Sequence, residues 1–226
     1  MSPVEQLSLT LPHDAAFGGE DFFVTDTNRD AVRQIAAWPD WPHHALVLVG
    51  DAGAGKSHLA AVWQARARAR LVTPTDLVHH DLLAGLGAQA ILVEDVDRAL
   101  ESADTAVEEG LFHLFNWLRE QGGWLLLTAR SPVVQWPVRI ADLRSRMAAA
   151  PLVRLGLPDD ELREAVMVKL FADRQMRVDP QVIRYALARL ERSFAAVREF
   201  VDQADRASLA AKRGVTVPLA RTILER

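Results

Sequence analysis

The chain has 226 residues, half of them hydrophobic, and 26 Lys and Arg against 30 Asp and Glu give it a formal net charge of −4. Such a length accommodates one domain with a small appendage and buries a full core without covalent staples. The absence of cysteine excludes a disulfide framework or a thiolate metal site, and the mild acidity argues against a dedicated, sequence-specific DNA binder.

No basic start followed by an apolar run marks a signal peptide, and no apolar stretch approaches the roughly 20 residues of a membrane span. A soluble, cytoplasmic chain without a membrane partner is therefore expected. Residues 1–20 read as an extended tail ending in Gly18-Gly19. Within it, Gln6-Leu7-Ser8-Leu9-Thr10-Leu11 places a leucine at every second position. An extended segment of this kind can bury Leu7, Leu9 and Leu11 in a partner's pockets while Gln6 hydrogen-bonds at one end. The alternative is an apolar strand of the body.

Residues 21–157 alternate short apolar runs with longer amphipathic stretches. The runs are Ala45–Val49, Leu71–Thr73, Ala90–Val93, Trp124–Thr128 and Leu152–Leu155. Short, almost wholly apolar runs bounded by turn residues are the pattern of strands buried on both faces. Spaced by helices, they predict an α/β fold with a five-stranded parallel sheet. Residues 158–226 read as a small helical unit. Asp159-Asp160 caps a helix through Phe171, and Asp179-Pro180 opens another with Pro at its first position. A long helix over 193–212 repeats apolar residues at Phe194, Val197, Val201 and Ala204, and Pro218 opens a last short one.

The first run leads directly into Gly50-Asp51-Ala52-Gly53-Ala54-Gly55-Lys56-Ser57, which meets the spacing G-x-x-x-x-G-K-S in full, with His58 just inside the helix that follows. Glycines let successive backbone N–H groups converge on phosphate oxygens without Cβ clashes. The helix start adds its positive dipole end. Lys56 is expected to reach the β- and γ-phosphates and Ser57 to ligate Mg²⁺. The third run ends in Glu94-Asp95. In a P-loop protein the first acid supports the metal and the second orients the attacking water. Glu94 stands where Asp is usual, and Asp95 is shorter than the Glu of vigorous ATPases. Both changes imply slow intrinsic hydrolysis.

Together these residues resemble the DnaA branch of AAA+ proteins, and within it the Hda-type DnaA-related regulators, along nearly the whole chain. Gln6–Leu11 looks like the family's sliding-clamp peptide. Asp21-Phe22-Phe23-Val24 is similar to the segment that approaches the adenine, which makes Phe23 and Val24 nucleotide candidates. Leu143-Arg144-Ser145-Arg146-Met147 looks like the box that carries an arginine finger, with Arg146 in the finger position. Asp202-Gln203-Ala204-Asp205-Arg206-Ala207-Ser208 resembles the last long helix of the lid. Thr128-Ala129-Arg130-Ser131-Pro132 lacks the family's usual Asp, leaving Thr128 as candidate γ-phosphate sensor. Ala195 stands where the lid's phosphate-sensing Arg falls; Arg192 or Arg198, one turn away, could replace it or be solvated surface residues.

The resemblance implies a regulator that binds ADP or ATP with Mg²⁺, docks on the polymerase sliding clamp and speeds hydrolysis of ATP on DnaA. The alternatives are a self-assembling AAA+ ATPase such as a helicase loader, and a non-catalytic clamp-bound scaffold. Homo-oligomerisation stays open. The chain carries no helix-turn-helix after the lid, and the interval from Asp76 to Gln89 has room for one short helix, which argues against an initiator. His43-His44 and His79-His80 are not expected to bind metal, since adjacent side chains on a strand point to opposite faces. Trp38, Trp41, Trp124 and Trp136 are expected to pack, and Glu108-Glu109 to lie on a solvated helix face.

Overall fold

The computed structural model describes residues 23–79, 89–101, 105–211 and 213–225. The chain divides into two compact units, Asn28–Leu157 and Pro158–Arg226, the second joined by the described residues up to Thr27.

In the first unit the five apolar runs form β1 (Ala45–Val49), β2 (Arg70–Val72), β3 (Ala90–Val93), β4 (Trp124–Ala129) and β5 (Leu152–Arg154). They make one all-parallel sheet in the order β2-β3-β4-β1-β5. Around it run α1 (Arg29–Ala36), α2 (Lys56–Ala67), α3 (Pro74–Leu77), α4 (Val96–Glu101), α5 (Thr105–Gln121) and α6 (Ala141–Ala149). Period-two alternation sorts the strands between two layers. Ala45, Val47 and Val49 of β1 join a core with Leu111, Leu114, Phe115 and Leu118 of α5 and Leu143 and Met147 of α6. Leu46 and Leu48 are equally buried and stand outside that cluster, while α2 packs on β3 and β4. The expected sheet with helices on both faces is thus present.

The end of β2 differs from expectation. β2 ends before Thr73, because the Thr73 hydroxyl accepts from the Asp76 N–H while the Asp76 carboxylate accepts from the Thr73 N–H. That reciprocal box opens α3 and stops the strand. Glycine at position 110 is imposed by packing: a Cβ there would lie 1.9 Å from the Leu77 carbonyl oxygen, so α5 meets the end of α3 backbone to backbone. The tryptophans pack, with Trp41 stacked on Trp63 at 5.4 Å and Trp38 set edge-on to Trp63 at 6.3 Å.

The second unit is built from α7 (Asp160–Asp173), α8 (Pro180–Leu187), α9 (Phe194–Ala211) and α10 (Val217–Leu224). Asp159 accepts from the Leu162 N–H at 2.7 Å and Asp179 from the Gln181 N–H at 2.7 Å, as their capping role requires. Met167, Phe171, Ile183, Val197, Phe200, Val201 and Ala204 form its core. Arg163 is a buried exception at 3% exposure; it pairs with Asp160 and donates to the carbonyls of Leu187, Leu190 and Glu191. It thereby satisfies the last carbonyl of α8 and two of the segment that follows it. Thr27 belongs with this unit through its hydroxyl, which donates to Asp159 at 2.6 Å.

Candidate nucleotide-binding site

β1 delivers the chain to Gly50, where the loop turns under tight constraint. A Cβ at Gly50 would sit 2.5 Å from the Leu155 carbonyl oxygen. Gly53 and Gly55 have φ of 77° and 101°, values that L side chains rarely adopt. α2 then starts at Lys56 with Gly55 as N-cap and no side-chain cap, so no side chain of the cap residue covers its first N–H groups. Asp51, Ala52, Ser57 and His58 are exposed, Gly53 and Gly55 half-buried, and Ala54 buried.

Lys56 is 7% exposed, and its Nζ donates to the carbonyls of Gly50 at 2.7 Å and Asp51 at 3.0 Å. The ammonium is therefore held over its own loop, and phosphate oxygens would exchange with those two carbonyls. Burial pulls its pKa down; the Asp95 carboxylate opposes this, Arg130 adds to it, and Asp97 and Asp51 oppose it. The acids after β3 and the loop after β4 thus surround the lysine electrostatically.

Glu94 Oε1 is buried and has no hydrogen-bond partner among the described residues. A buried, unpartnered carboxylate oxygen is costly unless something else completes it, and a Mg²⁺ shell is a fitting completion for it and for the exposed Ser57 hydroxyl. Asp95 has φ of 50°, and its N–H donates to Thr128 Oγ1 at 3.0 Å. Thr128 is 1% exposed. The two sequence candidates Asp95 and Thr128 are therefore joined directly, across the β3–β4 pair.

A residue that sequence reasoning passed over organises this region. Asp97, 4% exposed, accepts from the N–H groups of Arg130 at 2.8 Å, Ser131 at 2.9 Å and Arg98 at 3.0 Å, and from the Ser131 hydroxyl at 3.0 Å. Burial alone would raise its pKa, but those bonds from Ser131, Arg130 and Arg98 outweigh it and hold the carboxyl below its usual value. In sequence it is an acid in the first turn of a helix, which ordinarily signals only a favourable dipole contact.

Glu108 corrects the expectation of a solvated face. It is 5% exposed, and Oε1 accepts from the N–H of Arg139 at 2.6 Å and from that of Ile140. The carboxylate fixes the chain just before α6, a task that apolar periodicity along α5 does not reveal. On α6, Arg146 is engaged inside its own unit. Nε and Nη2 donate to Asp142 at 2.8 and 2.7 Å, and Nη1 donates to Asn116 at 2.6 Å. Its guanidinium lies 5.8 Å from the Phe112 ring centroid, and its side chain is 24% exposed.

Phe23 is half-buried and Val24 is 4% exposed. Arg192 is 68% exposed and faces Asp160 at 3.7 Å; Ala195 and Arg198 are exposed on α9. Gln6, Leu7, Leu9 and Leu11 lie outside the described residues. Among the described residues there is no cluster of His, Asp and Glu able to hold a metal, and no helix long and apolar enough to cross a membrane.

The fold aligns with those of known proteins. Residues 160–224 match a family model described as the lid domain of Hda. Domain III of the replication initiation protein DnaA from Thermotoga maritima is 19% identical, with 95% of this chain and 98% of that one covered and a TM-score of 0.78. AMPPCP-bound DnaA from Aquifex aeolicus is 19% identical at a TM-score of 0.67, with 81% of this chain covered and 63% of that one. A RuvB mutant from Thermotoga maritima matches at 13% identity and a TM-score of 0.66, covering 88% of this chain and 68% of that one. The chain thus carries a lid of the Hda type over residues 160–224 and shares the AAA+ fold of DnaA domain III.

Proposed function

We propose that this chain is a DnaA-related regulator of replication initiation. It binds ADP or ATP with Mg²⁺ at the Gly50–Ser57 loop, docks on the sliding clamp through residues 6–11 and promotes hydrolysis of ATP held by DnaA. The observation that carries this reading is the Hda-type lid over residues 160–224 following a unit with a complete phosphate cradle. The AMPPCP-bound DnaA neighbour supports the ligand class.

The residues fit the ligand. Loop N–H groups from Asp51 to Gly55, the start of α2 and Lys56 would hold the phosphates, and Ser57 and Glu94 would hold Mg²⁺. The metal would neutralise charge on the phosphate oxygens. Phe23 and Val24 would approach the base and Arg192 the phosphates. Within the chain, Thr128 sets the Asp95 backbone, and Asp97 fixes the loop that follows Thr128. Arg146 would act on the partner's nucleotide, where a guanidinium stabilises the charge of a transferring phosphoryl group.

The test mixes this protein, DNA-loaded clamp and ATP-bound DnaA, and follows conversion of the DnaA nucleotide to ADP. Wild type should accelerate it. Arg146→Ala should remain folded, hold nucleotide and bind clamp, yet lose most of a finger contribution of about 10³–10⁵ in rate. The pair Gln6→Ala and Leu9→Ala should abolish co-migration with clamp. Turnover by the isolated chain, lost in Lys56→Ala, would instead establish a self-standing ATPase. Clamp binding without any effect on DnaA would establish a scaffold.

A further inference from the structure

Arg146 is the side chain on which the proposed activity rests, and its surroundings are ordered before any partner arrives. Three residues from two elements of the first unit converge on it. Asp142, one turn earlier on α6, takes the edge formed by Nε and Nη2. Asn116 of α5 takes Nη1. Phe112 of α5 lies under the guanidinium. Glu108, Phe112 and Asn116 are spaced four residues apart and so lie along one row of α5. The first fixes the backbone entering α6, and the other two hold the arginine that α6 carries.

An arginine has five N–H donors in a rigid fork. The three bonds to Asp142 and Asn116 leave one N–H on Nη1 and one on Nη2. Two parallel donors on a planar group match two oxygens of a phosphate. The side chain stays 24% exposed, which leaves an approach for them. We infer that Asp142, Asn116 and Phe112 are positioning residues. They clamp one side of the Arg146 guanidinium so that its two remaining donors form a preset fork for the terminal phosphate of a nucleotide held by a partner protein.

This inference rests on the finger reading of Arg146, and it extends that reading from one residue to the row of α5 behind it. A preset fork does not have to be ordered at the moment of encounter. Misplacing it costs rate while leaving the docking surface intact. The clamp therefore acts on turnover at saturation, and a purely structural contact would act through the folded fraction.

The experiment measures ADP formation on DnaA over a range of concentrations of Asp142→Ala, Asn116→Ala, Arg146→Ala and the double variant Asp142→Ala with Arg146→Ala, all with loaded clamp and at matched folded concentration. The expected result is a fall of about ten- to a hundredfold in the saturating rate for each single positioning variant, with the half-saturating concentration unchanged. Adding Asp142→Ala to Arg146→Ala should change nothing further. ¹⁵N NMR of the free protein supplies a readout independent of the partner: the Arg146 Nε–H signal should be protected from exchange in wild type and lose that protection in Asp142→Ala. If Arg146→Ala itself has no effect, the finger reading fails. If Arg146→Ala is inactive while both positioning variants keep the wild-type rate, the finger stands and this inference is overturned. A faster rate in Asp142→Ala would also overturn it, because the carboxylate would then be restraining the arginine.

Discussion

Replacing Asp97 should damage the protein more than its place in the first turn of α4 suggests. Asp97→Ala strands three backbone donors (Arg98, Arg130, Ser131) and one hydroxyl. A hydrogen bond to a charged group contributes about 1.5–3 kcal/mol, and a stranded buried donor costs about 1–3 kcal/mol. These terms share one site and are not additive, so a loss of about 3–4 kcal/mol is expected, a large part of the roughly 5–15 kcal/mol that holds a domain together. Asp97→Asn keeps one acceptor oxygen and should lose about half as much. Urea unfolding at pH 7, followed by tryptophan fluorescence, measures both. Trp136 is a local reporter, since its Nε1 donates to the Ser131 carbonyl at 2.8 Å. The sign of the pH dependence is also set. The folded carboxyl titrates below its usual value, so its contribution is complete above the unfolded pKa of about 3.9 and disappears as pH falls through the folded one. The gap between wild type and Asp97→Asn should therefore be constant near neutrality and close in acid. An Asp97→Ala variant within about 1 kcal/mol of wild type at pH 7, with unchanged amide protection at Arg130 and Ser131, would refute this account of the loop.

Gly110→Ala places a methyl 1.9 Å from the Leu77 carbonyl oxygen, and since backbone must move it should destabilise by about 3 kcal/mol or more, seen as a lower urea midpoint. Lys56→Ala should lower ADP affinity about tenfold or more by calorimetry, because it removes the ammonium that would exchange the Gly50 and Asp51 carbonyls for phosphate oxygens. His44 has its pKa lowered to about 4, chiefly by burial, with the His43, Arg119 and Arg146 charges adding to it. The unfolded chain thus binds the extra proton first, and stability should fall between about pH 6.5 and 4 and level off below. His44→Leu should remove roughly 1–2 kcal/mol of that slope after allowance for solvent screening, and an unchanged pH profile of the variant would show that the charge on His44 is irrelevant there.

The phosphate loop, the five strands and the capped lid helices could be read from the sequence because each is a local matter. A motif of eight consecutive residues, an apolar run of four or five, or an Asp before Pro carries its own physics wherever it folds. The groups that make a site of them could not be read that way. Asp97 meets Ser131 34 positions away, Glu108 meets Ile140 32 away, Arg146 meets Asn116 30 away, and Arg163 meets the end of α8. In one dimension Asp97 and Glu108 are ordinary charges on helices, and Glu108 was expected in solvent. Their burial is decided by the parallel sheet, which sets the ends of β3 and β4 side by side, and by the packing that brings Glu108 of α5 to the backbone entering α6. There the cost of desolvating a carboxylate is offset by backbone N–H groups that no local structure satisfies.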